Sequence, residues 1–291
     1  MRAKLGRVVA VLGLFSTLTA GAVPNALVDA VQAPAWVERG DRRLPLAPGM
    51  VLENRDRLLT GLGARAIIQL ADGSAVKFGE NVNVAVNAMR QGESGVFSAA
   101  FDVVKGAFRL TTNIFSKYQR QRAINVRAGT VTIGIRGTDL WGRSSQEKDF
   151  VCLIEGRISV SHPLAEPGEL NEPLQFYGAD QGQAPGPVAL VDPEQLAKWA
   201  RETELRDEAP TQRPDGRWSL VFPRLDQDGV LALHDQLSAA GFAGRIRPIR
   251  VSRGYLYELR LGQLVSEQAA QGLAERLVRE LHVSAPGILR H

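Results

Sequence analysis

The chain has 291 residues, of which 44% are hydrophobic, so it is long enough for two domains and can bury a core. Its formal net charge is +4, but three of the positive charges, Arg2, Lys4 and Arg7, lie at the N-terminus. The remainder is close to neutral, so whole-chain charge gives no support for a nucleic-acid partner. A single cysteine, Cys152, excludes a disulfide framework within the chain.

Residues 1–22 have the pattern of a cleaved secretory leader. The three basic residues precede an apolar run, Val8 to Leu18, and small residues follow as far as Ala22. The apolar run is short for a bilayer span. We expect cleavage after Ala22, no stable membrane span afterwards, and a location in the periplasm or cell envelope. The alternative is a leader that stays uncleaved as an anchor.

Residues 35–162 predict an all-β domain. Short β-like runs alternate with Gly, Asn and Asp, and no convincing amphipathic helix interrupts them. In ARAIIQLADGSAVKFG, Asp72 and Gly73 supply the turn of a hairpin. Evenly spaced short strands favour a sandwich, a barrel or a small solenoid.

Within this domain, TVTIGIRGTDLWGR (residues 130–143) predicts a strand, a glycine-assisted bend and a second strand. Its glycines are too few for a phosphate cradle. We expect Arg136, Gly137 and Asp139 to have a structural role, with Arg136 and Asp139 pairing with each other or with the backbone. Cys152, in FVCLIEG, is interpreted as a small buried side chain, the alternative being a reactive or intermolecular thiol.

Residues 163–214 predict an acidic linker rich in proline and glycine, interrupted by one helix at residues 192–206. The linker has a net charge of −6, whereas residues 35–162 have a net charge of +6. The basic segment could therefore meet an anionic partner, or it could lie against its own linker. Both possibilities stay open at this point.

Residues 215–291 follow a different pattern, β-α-β-β-α-β, which predicts an α+β ferredoxin-like sheet with two helices on one face. Strand alternation leaves five side chains on the open face of this sheet. Such a face either binds a linear polymer or is simply solvated. The five candidate binding residues are Ser219, Val221, Leu256, Glu258 and Arg260.

The common signatures of enzyme and metal sites are missing from the sequence. There is no HExxH pair, no GxSxG turn and no GxxxxGK[ST] loop. The four histidines are widely separated, and one S-x-x-K match at Ser145 lies in a polar stretch without its partner motifs. We therefore expect a protein that is not an enzyme and that needs no metal or cofactor.

Residues 36–162 resemble the FecR domain. The matching segments are DRLLTGLGARAIIQLADGSAVKFGENVNVAV, VVKGAFRL, INVRAGTVTIGIRGTDLWG and CLIEGRISV, in the family's order. The best-known members pass a signal from an outer-membrane transporter to a sigma factor. This chain lacks their cytoplasmic N-terminal part, so the resemblance implies the domain rather than that specific role.

Residues 217–290 resemble the SPOR domain of bacterial envelope proteins. The matching segments are WSLVF, LSAAGF and YLYELRLGQLVSEQAAQGLAERL. The resemblance implies binding to peptidoglycan, with a preference for septal glycan strands. The chain departs from the family at Val221, Pro223, Glu258 and Gln263, which lie on or beside the binding face.

Together these features predict a multi-domain, non-enzymatic envelope protein that binds peptidoglycan through the SPOR-like domain. The FecR-like domain would then engage an unknown protein or glycan partner. The alternative is a periplasmic signalling adaptor of the FecR type, in which the SPOR-like domain has become a protein-interaction module. A third hypothesis, an enzyme acting on the cell wall, is disfavoured by the missing motifs.

Overall fold

A computed structural model describes residues 24–92, 96–112 and 122–291, so the predicted leader lies outside the described residues. The first 14 strands form one large sheet. Their bounds are β1 Ala26–Gln32, β2 Ala35–Arg39, β3 Arg42–Pro45, β4 Arg57–Thr60, β5 Arg65–Leu70, β6 Ala75–Phe78, β7 Asn83–Gln91, β8 Phe97–Thr111, β9 Arg122–Ala128, β10 Val131–Ser144, β11 Lys148–His162, β12 Ala165–Leu170, β13 Gln175–Asp180 and β14 Ala189–Leu190.

Three long strands wrap this sheet around a single apolar core. The first half of β8 pairs with β7 and β9, whereas its second half pairs with β6 and β10. Strand β10 likewise changes its partner from β9 to β8 along its length, while β11 pairs with it throughout. The β domain is thus a wrapped sheet with mostly antiparallel pairs, in agreement with the all-β prediction.

The segment predicted as a linker is built into the β domain, which corrects the interpretation from composition. Strands β12 and β13 both pair with β11, and β14 continues the sheet edge. The predicted helix is shorter than expected: α1 spans Pro193–Arg201, with Asp192 as its N-cap. The proline and glycine content predicted a linker without regular structure. The segment forms strands instead, because β11 offers unpaired backbone N–H and C=O groups with which β12 and β13 pair.

The C-terminal elements form a second, four-stranded sheet with two helices. They are β15 Trp218–Val221, α2 Gln227–Ala239, β16 Arg245–Val251, β17 Gly254–Leu264, α3 Glu267–Leu281 and β18 Gly287–Arg290. The strand order is β16-β17-β15-β18, and the pairs are antiparallel. Apolar side chains of both helices pack with Leu220, Leu259 and Leu261 in one core, so both helices cover the same face of the sheet.

Side-chain alternation in this second sheet follows the sequence pattern. In β17, Leu259 and Leu261 are buried beneath the helices, whereas Leu256, Glu258 and Arg260 have the opposite parity. In α2, Val230 and Leu237 are buried, as their spacing predicts. The face opposite the helices is called the open face below.

Candidate interaction surface

The open face carries all five candidate binding residues, but two of them are held inside the protein. Ser219 is only 3% exposed, and its Oγ lies 2.7 Å from Nε2 of His291. Glu258 is 8% exposed and accepts hydrogen bonds from Arg260 Nη2 at 2.8 Å and from Arg224 Nε at 3.2 Å. Both side chains already have partners, so neither is a free ligand for a glycan.

Charge pairing at Glu258 also shifts its ionisation. The hydrogen bond from Arg260, opposed by partial burial and reinforced by Arg224, holds the pKa of the Glu258 carboxyl below its usual value. Glu258 is therefore ionised at neutral pH and anchors two guanidinium groups on the open face. Its role in the structure is to position arginines.

A cleft of about 940 Å³ lies between the C-terminal domain and the β domain, and is lined by residues of the open face and of α2. One wall is formed by β3 and the loop that follows it, including Leu44, Ala47 and Met50. The other wall comes from α2, β16, β17 and the C-terminus. Its basic lining residues are Arg43, Arg245, Arg247, Arg260, His234 and His291, and the acidic one is Asp235. Sequence reasoning missed this site because its two walls lie about 200 residues apart in the chain.

The cleft exists because the two sheets are joined by backbone hydrogen bonds. Residues 211–213 form an extended segment between β1 and β17. Val31 and Gln212 exchange both backbone hydrogen bonds, at 2.9 and 3.0 Å, and Arg213 N donates to the Gln263 carbonyl at 2.8 Å. The connection between the domains is therefore part of the pairing network and not a free tether.

Side-chain hydrogen bonds from β2 and α3 reinforce this connection. The indole Nε1 of Trp36 donates to the carbonyl of Ser238 at 3.2 Å, at the C-terminal end of α2. Arg276 Nη1 donates to the carbonyl of Ala33 at 2.8 Å. A side chain at Gly241 would clash with Trp36, because an added Cβ would lie 2.8 Å from its ring. This glycine allows the two domains to approach closely.

The acidic segment after α1 pairs with the basic β domain, which supports the second of the two charge interpretations. Glu204 accepts hydrogen bonds from Lys77 Nζ at 2.6 Å and from Arg109 Nη1 at 2.8 Å. Glu202 pairs with Arg143 at 2.5 Å. These contacts hold the segment against the sheet.

Helix α1 covers a second apolar face of the β domain. Trp199 stacks on the fully buried Trp141 with ring centroids 5.3 Å apart and an interplanar angle of 6°. Phe150 packs against both rings, at 5.4 and 5.0 Å. The helix thus covers the face of β10 and β11 that carries Trp141 and Phe150.

The residues predicted to have a structural role lie in the β5–β6 hairpin and where β10 changes its pairing partner from β9 to β8. Asp72 accepts hydrogen bonds from Ser74 N and Oγ at 3.0 and 2.6 Å, and Gly73 has φ +88° in the β5–β6 hairpin. Asp139 binds Arg109 through both carboxylate oxygens, at 2.9 and 2.7 Å. Asp139 therefore pairs with an arginine of strand β8, and the expected pairing with Arg136 stays a prediction because the Arg136 side chain is outside the described part of the structure.

Gly137 marks the point where β10 changes its neighbour. It has φ +94° and falls within a register shift between Ile135 and Thr138. Opposite it, Gly156 has φ +92°, and an added Cβ there would lie 2.4 Å from the Gly137 carbonyl oxygen. The paired glycines produce a β-bulge, which bends the strand towards β8.

Cys152 is fully buried in β11, and burial raises the pKa of its thiol to about 12. At pH 8 only about 1 thiol in 10,000 is then ionised, and the thiolate is the reactive form. We expect no labelling of the native protein by iodoacetamide at pH 8 and rapid stoichiometric labelling in 6 M guanidinium chloride. Mass spectrometry of both samples checks this, and labelling at equal rates would contradict the buried placement.

Comparisons with known proteins identify one part of the chain. Residues 56–159 match the family model described as FecR protein. No curated protein matches the chain. Two crystal structures of a proposed anti-sigma factor from Parabacteroides distasonis ATCC 8503, at 1.65 and 2.50 Å resolution, are similar with 12% identity and a TM-score of 0.41 each. The alignments cover 81% and 78% of this chain and 99% and 92% of those chains, respectively.

The family match confirms the FecR resemblance over residues 56–159, whereas no comparison supports the SPOR resemblance of residues 217–290, which stays a hypothesis. Among the described residues, no helix is both long and apolar enough to cross a membrane. The matched segment runs from the start of β4 to the end of β11, through the Asp72–Gly73 hairpin and the Gly137 bulge. Residues 56–159 of this chain are a FecR domain.

Proposed function

We propose that this protein is a non-enzymatic signalling adaptor of the cell envelope, in which the FecR-containing β domain acts together with a C-terminal module that binds a partner protein. The carrying observation is the backbone connection through Gln212, which joins β1 to β17. A partner bound to the C-terminal domain would act directly on the β domain, because the two sheets share this segment. The FecR match supports the signalling half of the proposal.

A peptidoglycan tether is the competing function, and its support is weaker. A tether works best on a flexible linker, whereas residues 165–170 and 175–180 here form strands of the β sheet and Gln212 pairs with β1. Two of the five residues that glycan binding was expected to use, Ser219 and Glu258, are engaged within the protein. The remaining three, Val221, Leu256 and Arg260, lie on the open face and leave the hypothesis testable.

The test compares protein capture with wall binding in the full chain. A photoreactive amino acid at Ala47, on the cleft wall, is irradiated in cells of the source organism, with Glu166, exposed on strand β12, as the control position. We expect a defined envelope protein to be crosslinked from position 47 and not from position 166. The purified chain should remain in the supernatant when sacculi are sedimented.

Three outcomes would contradict the proposal. Sedimentation with sacculi, without any position-specific protein crosslink, would establish the tether instead. Equal crosslinking from both positions would mean that the cleft is not the contact surface. Release of muropeptides from sacculi by the purified protein would show an enzyme.

A further inference from the structure

We propose that the cleft binds an acidic segment of a partner polypeptide, whose carboxylates pair with Arg43, Arg245 and Arg247. This inference rests on the proposed function, in which the partner is a protein. It adds the chemistry of the contact and the residues that recognise it.

The positive charge on the open face is only partly neutralised by the protein itself. Arg245 lies opposite Arg260, and Arg247 lies opposite Glu258, in the β16–β17 register. Glu258, however, forms its ion pairs with Arg224 and Arg260. Two arginines placed directly across a strand pair repel each other, and a bound anion relieves that repulsion.

The three proposed recognition residues are available to a ligand. Within the described chain, no carboxylate lies within 4.0 Å of Arg43, Arg245 or Arg247, and all three are exposed. Arg245 and Arg247 are two residues apart in β16, so their side chains emerge on the same face. Arg43 is oriented by stacking on Trp36, with its guanidinium carbon 4.3 Å from the ring centroid. Guanidinium groups bind carboxylates in a bidentate manner.

The remaining lining distinguishes a peptide from other anions. Leu44, Met50 and Ile246 contribute apolar surface beside the arginines, which suits aliphatic side chains interspersed with carboxylates. No Phe, Tyr or Trp is among the described residues that line the cleft, so a nucleic-acid base would find only the imidazole rings of His234 and His291 on which to stack. A volume of about 940 Å³ is at the upper end of ordinary ligand sites and accommodates several residues.

The edge of β16 indicates that the peptide is recognised by its side chains. Pro248 lies in the middle of this edge strand and lacks a backbone N–H, so a further strand could not pair continuously along it. The segment is therefore expected to lie across the open face within the cleft, rather than to extend the sheet. Carboxylate spacing would then determine affinity more than backbone hydrogen bonding.

The closing experiment uses the full chain and two fluorescein-labelled ten-residue peptides. One contains four glutamates among alanines and leucines, and the other has glutamine in place of each glutamate. Fluorescence anisotropy is measured for the wild type, for the double variant Arg245→Gln/Arg247→Gln, and for Arg250→Gln. Arg250 is exposed on the same strand with the opposite parity, so it is a matched control for loss of charge.

We expect the glutamate peptide to bind the wild type at least about tenfold more tightly than the glutamine peptide. The double variant should lose about tenfold or more in affinity, and Arg250→Gln should stay within about twofold of the wild type. Raising the salt concentration should weaken the glutamate peptide alone. Circular dichroism of each variant establishes that it is folded.

Equal affinity for the two peptides, unchanged binding by the double variant, or an equal loss in Arg250→Gln would overturn the inference. Binding of sacculi that is lost in the double variant and is not displaced by the glutamate peptide would assign the arginines to an anionic wall polymer instead. If the protein crosslinked from position 47 still binds the double variant, the adaptor function stands and the acidic-peptide assignment fails. If the glutamate peptide binds as expected but no protein is crosslinked, the adaptor function fails and the chemistry of the cleft stands.

Discussion

Replacing Trp141 with alanine is expected to lower the free energy of unfolding by about 4 kcal/mol, the largest effect of a single substitution considered for this protein. The side chain is fully buried, and the ring of Trp199 stacks on it at 5.3 Å. Its Nε1 has no hydrogen-bond partner among the described residues, so the loss comes from packing and not from a broken hydrogen bond. Urea unfolding followed by circular dichroism measures the change.

Trp199→Ala is the matched variant, because it removes the other ring of the same stack from a partly exposed position. We expect it to cost about half as much, since less of the side chain is withdrawn from water. It should also release α1 and increase proteolysis near residues 193–201 under native conditions. If the two substitutions lower the free energy of unfolding equally, Trp199 is as much a part of the core as Trp141, and α1 is not simply a cover over the sheet.

Asp139→Asn is expected to destabilise the protein by about 2 to 3 kcal/mol, because it leaves the guanidinium of Arg109 without its bidentate partner. The two side chains are 11% and 22% exposed, so solvent compensates only in part. Arg109 keeps its charge in the variant, because a guanidinium group is not deprotonated in proteins, so it cannot escape the cost by losing its proton. Chemical denaturation measures the loss, and the remaining contact of Arg109 with Glu204 limits its size.

The control for this substitution is Asp180→Asn, which removes an exposed carboxylate at the end of β13. Asp180 and Lys148 are 3.7 Å apart, with side chains that are 59% and 45% exposed. Exposed pairs of this kind contribute about 0.5 kcal/mol or less. A similar loss of stability in both variants would indicate a general effect of removing a negative charge. The Asp139–Arg109 pair would then have no special role where β10 changes its pairing partner.

Much of the C-terminal domain could be predicted because its information is local. The spacing of Val230 and Leu237, the caps Asp226 and Ser266, and the alternation in β17 each act over a few residues. The same alternation assigned Ser219 and Glu258 to the open face correctly. It did not reveal that Ser219 would contact His291 and that Glu258 would pair with Arg224, because these partners come from distant positions in the chain.

The sequence by itself determined the strand content of the β domain, the hairpin at Asp72 and Gly73, and the FecR-like order of segments. It also marked Gly137 and Asp139 as structural, because glycine at a bulge and a carboxylate beside it leave a local pattern. Only the tertiary structure decided that residues 165–170 and 175–180 are strands, that Asp139 pairs with Arg109, and that Arg43 and Arg245 line one cleft. Each of these features depends on which strand edge, charged side chain or neighbouring domain is close by after folding. Pairing between segments that are distant in the chain leaves no periodic pattern in a single sequence.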